Sequence, residues 1–200
     1  MAIQQIKNNN NEGVQFPLTN PNIMRTIEIQ AYKFNELDEQ TKLQVIKDNI
    51  HINVEFDWWD CTYETLRECG IKVNSFDIGR RQECEIEFLE DGHEVATNII
   101  DTFGEAMDIV KDAKNFIKDR DALVKKYGEG NDTDGYSVKE ELYDYFDEDV
   151  EGITIDLKKN LEYETLRWLR DEYEYLTSEE AIIETIEAND IEFTKEGKLI

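Results

Sequence analysis

The side chains with the clearest chemical potential in this sequence are carboxylates grouped in one short segment. Residues 140–151 contain Glu140, Glu141, Asp144, Asp147, Glu148, Asp149 and Glu151. On a helix, carboxylates three and four positions apart lie about 5–6 Å from one another, and each like-charged pair costs up to roughly 0.5 kcal/mol. A partner that presents lysine and arginine, or a divalent ion, would relieve this repulsion. Tyr143 and Tyr145 interleave with the acids and could anchor such an interface.

A second group of residues resembles the calcium-binding loop of an EF-hand. Its members are Asp132, Asp134, Tyr136 and Glu141, at positions three, five, seven and twelve of such a loop. Position one falls on Gly130, and Ser137 occupies position eight, where a hydrophobic residue is missing. Because Asp-x-Asp-Gly segments are also common turns without metal, we favour an Asx turn over a calcium site.

The cysteines and histidines offer a third candidate site. Cys61, Cys69, Cys84 and His93 could supply three sulfurs and an imidazole to zinc. The closely spaced ligand pairs of zinc knuckles are absent, so we favour reduced thiols in the core. The other histidine, His51, suggests no catalytic triad, and the acids are too abundant to select a general acid and base. We predict neither enzymatic activity nor a cofactor; a metal-dependent enzyme is an alternative.

Charge narrows the class of partner. The chain of 200 residues has 47 acidic and 22 basic side chains, a formal net charge of −25. This balance argues against direct binding to nucleic acid or to an anionic membrane and favours basic protein partners, although acidity can also serve solubility alone. We find no apolar run that could span a membrane and no signal segment, so we expect a cytosolic protein.

The first half of the chain predicts the elements that must position these residues. A strand is expected over Ile23–Tyr32. A helix follows the capping residue Asp38, with Leu43, Ile46 and Ile50 as its apolar stripe. A second helix is predicted over Val54–Cys69, with Phe56, Trp59, Tyr63 and Leu66 on its apolar side and Gly70 as a left-handed cap. Two strands should follow, over residues 71–78 with a slip at Ser75 and over Gln82–Leu89.

The second half of the chain predicts mainly helices. These are expected over about Glu94–Asp101, Glu105–Tyr127, Val138–Phe146, Leu157–Leu176 and Ser178–Ala188, with a final hairpin over Ile191–Ile200. The predicted fold class is α+β, a small mostly antiparallel sheet packed with several amphipathic helices. We expect a flexible N-terminal arm over residues 1–22 and a single domain over 23–200, with a sub-boundary at the loop 128–135.

Two sets of motifs carry a resemblance to a known family. One runs from Tyr32-Lys-Phe-Asn-Glu-Leu to Val73-Asn-Ser-Phe-Asp-Ile78, and the other from Tyr173-Glu-Tyr-Leu-Thr-Ser-Glu-Glu-Ala181 to Gly197-Lys198. The sequence from about residue 27 to 200 resembles a family of uncharacterised proteins of bacteriophages, prophages and mobile elements. The resemblance assigns no catalytic residue. It implies a phage-type accessory protein that works in the cytoplasm of a bacterial host.

The acidic segment and this resemblance together predict an inhibitor. The protein would occupy the basic nucleic-acid site of a host protein, such as an immunity nuclease, by presenting carboxylates where phosphates would lie. The contact residues would be the seven acids of residues 140–151 with Tyr143 and Tyr145. Alternatives are a virion or scaffold component and an interaction module that blocks a defence protein without copying nucleic acid. The sequence leaves the oligomeric state open.

Overall fold

The computed structural model describes residues 30–128, 138 and 140–200, and Ala31–Ile200 form one compact unit. Its described α-helices are α1 (Glu39–Asp48), α2 (Asp60–Glu68), α3 (Gly92–Thr102), α4 (Asp108–Tyr127), α5 (Tyr143–Leu176) and α6 (Glu179–Ala188). Its described strands are β1 (Tyr32–Lys33), β2 (Ile71–Asp77), β3 (Glu83–Phe88) and β4 (Glu192–Phe193). Short 3-10 helices cover Phe34–Glu36 and Glu140–Leu142. The described fold is therefore mixed α+β and dominated by helices.

The strands form two separate two-stranded antiparallel sheets, one of β1 with β4 and one of β2 with β3. The prediction of a single small sheet is therefore wrong for the described residues. The predicted strand over Ile23–Tyr32 lies mostly outside these residues, and its described end is strand only at Tyr32. The predicted arm over 1–22 lies outside them, as does the loop 128–135 except for Gly128.

The β2–β3 hairpin follows the sequence pattern closely. The register shifts between Val73 and Ser75, so the predicted slip at Ser75 is confirmed. Gly70 ends α2 with φ +79°, a left-handed conformation that glycine adopts without steric cost. On β3, Ile86 is buried while the alternating glutamates are exposed. One face of the hairpin therefore packs on the helices and the other meets solvent.

The main core lies between this hairpin and helices α2, α3, α4 and α5. Its buried side chains include Leu66, Ile71, Ile86, Val95, Ile99, Ile109, Phe116 and Leu161. Helix α5 is one continuous helix of 34 residues, about 50 Å long. The prediction of separate helices over Val138–Phe146 and Leu157–Leu176 is wrong because the turns around Gly152 stay helical. A glycine inside a helix costs only about 1 kcal/mol relative to alanine, which packing against α4 can offset.

A smaller core joins the two ends of the described chain. Val45 of α1 packs there with Phe34, Leu37, Ile182, Ile186 and Phe193. Asp38 caps α1 through the N–H groups of Gln40 and Thr41, and Ser178 caps α6, as predicted. Of the predicted apolar stripe of α1, Ile46 packs against this core, but Leu43 is 63% and Ile50 43% exposed, and the fully buried residue is Val45. The face that α1 presents to this core is set by α6 and β4.

The predicted helix over Val54–Cys69 begins only at Asp60. Residues 49–59 form a series of turns instead, and within them Phe56 is 80% exposed. Leu66 is fully buried as expected. Trp59 and Tyr63 are partly buried. The placement of Phe56 in the core is therefore wrong, since this residue precedes the helix whose apolar side it was expected to share.

Candidate functional site

Four predicted contact residues lie on one face of the N-terminal half of α5. Asp144, Asp147, Glu148 and Glu151 are all exposed. Their spacing of i, i+3, i+4 and i+7 places them along one side of a helix. Phe146, on the opposite side, is buried and packs edge-on against the ring of Tyr127 in α4. We call these four carboxylates the α5 acidic stripe.

The stripe is not neutralised by the described part of the protein. Within residues 30–128, 138 and 140–200, ion pairs form at other acids, and none of them includes a member of the stripe. Asp144 lies in the first turn of α5, where the helix dipole favours negative charge. Asp147, Glu148 and Glu151 lie beyond that turn. The stripe therefore retains four like-charged neighbour pairs, each costing about 0.2–0.5 kcal/mol.

The other predicted contact residues are placed differently. Asp149 points to α4, where its Oδ2 accepts a hydrogen bond from the Tyr127 hydroxyl at 2.7 Å and from Lys126 Nζ at 2.9 Å. These bonds hold the pKa of Asp149 below its usual value, and the bond from Tyr127 has the larger effect. Tyr143 and Tyr145 are exposed on either side of the stripe. Glu141 is exposed in its 3-10 helix, and the side chain of Glu140 lies outside the described part.

The described residues include all the zinc candidates but only one of the calcium candidates. Of the calcium candidates, only Glu141 is described, because Asp132, Asp134 and Tyr136 lie outside the described residues. In the described ranges, no three His, Cys, Asp or Glu side chains come together as metal ligands would. The zinc candidates Cys61, Cys69, Cys84 and His93 all lie within these ranges and form no such group.

The three thiols differ in burial. Cys69 is fully buried and Cys84 partly buried, in line with core thiols. Burial raises the pKa of Cys84 to about 12, with a smaller contribution from Glu162. Such a thiol is a poor nucleophile at neutral pH because nucleophilic attack requires the thiolate. Cys61 is exposed, so the prediction of a core position is wrong for this residue.

An ionic cluster joins α4 to α5 beyond the stripe. Asp108 accepts hydrogen bonds from Lys111 Nζ at 2.7 Å and from Arg167 Nη1 at 3.1 Å. These two bonds hold the pKa of Asp108 below its usual value, and the bond from Lys111 has the larger effect. Nη2 of Arg167 lies 2.6 Å from Oε2 of Glu164, although the N–H does not align with that oxygen as a hydrogen bond requires. Arg167 therefore bridges two helices through two carboxylates.

The cluster borders an open hollow of about 410 Å³. Its lining consists of Asp108, Lys111, Asp112, Asn115, Asn160, Tyr163 and Glu164. Burial raises the pKa of Glu164, which Arg167 partly opposes. Burial, followed by the charge of Asp108, also raises the pKa of Asp112. Lys111 and Arg167 pair with Asp108, and Arg167 also pairs with Glu164, so these charges link α4 to α5.

Sequence reasoning missed an aromatic group on the turns before α2. Trp58 packs against the rings of Trp59, Phe76 and Tyr173 at centroid distances of 5.6, 5.7 and 5.6 Å. Phe56 projects from the same turns into solvent. The signal in the sequence was the alternation of acids with aromatics in Glu55-Phe-Asp-Trp-Trp-Asp60, which a strict helical period conceals.

Comparison with known proteins identifies no relative. No family model matches the sequence, and neither a curated protein nor a solved structure is significantly similar to it. None of the helices in the described ranges is both long and apolar enough to cross a membrane.

Proposed function

We propose that this protein is a phage-type accessory protein that inhibits or sequesters a basic, nucleic-acid-binding protein in the cytoplasm of a bacterial host. The observation that carries this proposal is the α5 acidic stripe, whose four exposed carboxylates have no ion-pair partner in the described part of the protein. Retaining four mutually repelling charges on one helix face lowers stability. A partner with lysine and arginine would relieve this cost on binding.

The spacing of the stripe supports nucleic-acid mimicry. Asp144 to Glu151 spans seven residues, or roughly 10 Å of helix axis, so its four charges recur on average every ~3.5 Å. One strand of B-DNA carries a charge every ~3.4 Å of its axis. A basic groove that binds phosphates would meet a similar charge density on α5. Exposed Tyr143 and Tyr145 flank the carboxylates and can supply the apolar contact of an interface.

Capture from a bacterial lysate tests the proposal. Wild-type protein is immobilised beside a stripe variant with Asp144→Asn, Asp147→Asn, Glu148→Gln and Glu151→Gln. A matched control carries the same number of neutralised acids on exposed positions elsewhere: Glu85→Gln, Asp101→Asn, Glu184→Gln and Glu196→Gln. Proteins are eluted with salt, because exposed charges are largely screened at about 1 M, and are identified by mass spectrometry.

We expect wild type and the control to retain a basic nucleic-acid-binding protein and the stripe variant to lose it. Duplex DNA or RNA should then compete with wild type for that purified protein. Equal capture by the stripe variant and the control would contradict the role of α5. A captured protein that binds nucleic acid and this chain at the same time would contradict inhibition by occupation of its nucleic-acid site.

A further inference from the structure

The turns before α2 expose one aromatic side chain almost fully to solvent. Phe56 is 80% exposed, whereas the neighbouring Trp58 and Trp59 are half-buried. Single exposed apolar residues are common on protein surfaces. Here the exposed ring lies two residues before a tryptophan that packs on two further aromatic rings. We call Phe56, Trp58 and Trp59 the aromatic loop.

The turns that lead into the aromatic loop are held by the end of α5 and by α6, and within the loop Trp58 packs on Phe76 and Tyr173. Asn53 donates from Nδ2 to the carbonyl of Leu176 at 2.9 Å, and its Oδ1 accepts from the Thr185 hydroxyl at 2.6 Å. The N–H of Trp58 donates to the carbonyl of Phe56 at 2.8 Å. A surface fixed before binding loses less conformational entropy on association, which raises the affinity that a given contact provides.

Unpaired acids alternate with these rings. Glu55, Asp57 and Asp60 are exposed, and none of them forms an ion pair with another described residue. Arginine fits such a surface because its planar guanidinium stacks on aromatic faces and binds carboxylates through two parallel hydrogen bonds. Lysine offers a point charge without the stacking plane. The alternation therefore complements arginine in particular among the basic residues.

We propose that the aromatic loop docks an arginine-containing segment of a partner protein, with a guanidinium stacked on Phe56 and paired with Asp57 or Glu55. This site is separate from the α5 acidic stripe. Tyr173, whose ring packs on Trp58, follows Glu148 by 25 residues of the same helix, or roughly 37 Å along its axis. The docking proposal therefore holds or fails independently of binding at the stripe.

Hexa-arginine, hexa-lysine and hexa-glutamate peptides serve as probes, with tryptophan fluorescence and calorimetry as measurements. Trp58 and Trp59 report on the loop, while Trp168 packs on Phe103 in the main core. We expect hexa-arginine to bind the wild-type protein more tightly than hexa-lysine does. Hexa-glutamate should not bind. Phe56→Ala should weaken the affinity for hexa-arginine about tenfold and leave the affinity for hexa-lysine nearly unchanged. Equal affinity for the two cationic peptides would overturn the proposal.

Matched variants separate docking from general attraction to a protein of net charge −25. Tyr163→Ala removes an aromatic ring that is 66% exposed and belongs to neither the aromatic loop nor the stripe, and it should leave hexa-arginine binding unchanged. The four-fold stripe variant should keep the arginine-over-lysine preference, whereas Asp57→Asn with Glu55→Gln should lose it. Because Phe56 is exposed, Phe56→Ala should melt like wild type. An unchanged hexa-arginine affinity in Phe56→Ala would overturn the proposal even if the stripe binds its own partner.

Discussion

Arg167 and Glu164 lie three residues apart on α5, with Nη2 and Oε2 separated by 2.6 Å. The carboxylate side chain is only 7% exposed, whereas the guanidinium is 38% exposed. Arg167 also reaches Asp108, the first residue of α4. A single partly exposed cation thus compensates a buried charge and links the two longest described helices.

Replacing Arg167 by methionine should destabilise the protein because Glu164 would remain buried without its cation. We expect a melting temperature about 2–8 °C lower at neutral pH. Burial raises the folded-state pKa of Glu164, and loss of Arg167 raises it further. The folded state then binds the proton more tightly, so stability falls as pH rises through the window above the unfolded-state pKa. The penalty should shrink in acid.

Thermal melts of Arg167→Met, Glu164→Gln and the double variant between pH 4 and 8 measure this coupling. The double variant should be more stable at neutral pH than Arg167→Met alone, because no buried charge remains. A penalty for Arg167→Met that is constant across this pH range would contradict the assignment to Glu164.

Asp149 should contribute stability with the opposite pH dependence. The hydrogen bonds from Tyr127 and Lys126 lower its folded-state pKa, so its contribution is complete above the unfolded-state pKa. That contribution is lost as pH falls through the folded-state value. Asp149→Asn should therefore be less stable than wild type at neutral pH, with the difference closing in acid.

Urea unfolding at pH 3, 5 and 7 measures this difference. Asp147→Asn is the matched control, since Asp147 lies two residues away and forms no ion pair with a described residue. The control should not reproduce the neutral-pH loss. If Asp149→Asn and Asp147→Asn follow the same curve, the bonds to α4 contribute nothing to the folded state.

Local sequence signals predict the ends of elements better than their buried faces. Asp38 and Ser178 cap their helices through N–H groups only two or three residues away, and Gly70 needs only its own backbone conformation. The burial of Val45 instead of Leu43 depends on where α6 and β4 lie. The helical periodicity of α1 cannot predict those positions.

In the candidate site, too, only the features that depend on local sequence could be predicted. The stripe could be predicted because its members are spaced along a single helix. The hydrogen bonds of Asp149 to Lys126 and Tyr127 depend on the neighbouring helix, because these partners lie 23 and 22 residues earlier in the chain. The helical pattern predicted over residues 54–69 concealed the exposure of Phe56, because the turns held by Asn53 depend on contacts with α5 and α6.

Gly197 should tolerate no side chain. Its φ of +78° is a left-handed conformation, and a Cβ there would lie 2.8 Å from Cγ2 of Val45 and 3.0 Å from Cγ2 of Thr41. Gly197→Ala therefore combines backbone strain with a clash against the smaller core, and we expect it to lose about 1–3 kcal/mol of unfolding free energy.

Gly152→Ala is the control, because it should raise the unfolding free energy that Gly197→Ala lowers. Gly152 lies inside α5, and an added Cβ would meet nothing within 4 Å. Alanine there should gain about 0.5–1 kcal/mol because it loses less conformational entropy on folding. Urea unfolding of both variants gives the comparison. A Gly197→Ala protein as stable as wild type would show that residues 194–198 relax away from α1.

Neutralising one acid of the stripe should stabilise the free protein. Glu148 has like-charged neighbours at Asp144 and Glu151, so Glu148→Gln removes two repulsive pairs and should gain about 0.4–1 kcal/mol at low salt. The gain should disappear near 1 M salt, where the Debye length is about 3 Å. Glu85→Gln, on an exposed strand position without an ion pair in the described part, is the control for the change in net charge. If Glu148→Gln gains no more than Glu85→Gln at low salt, the stripe is not under repulsion and a basic partner would have no local strain to relieve.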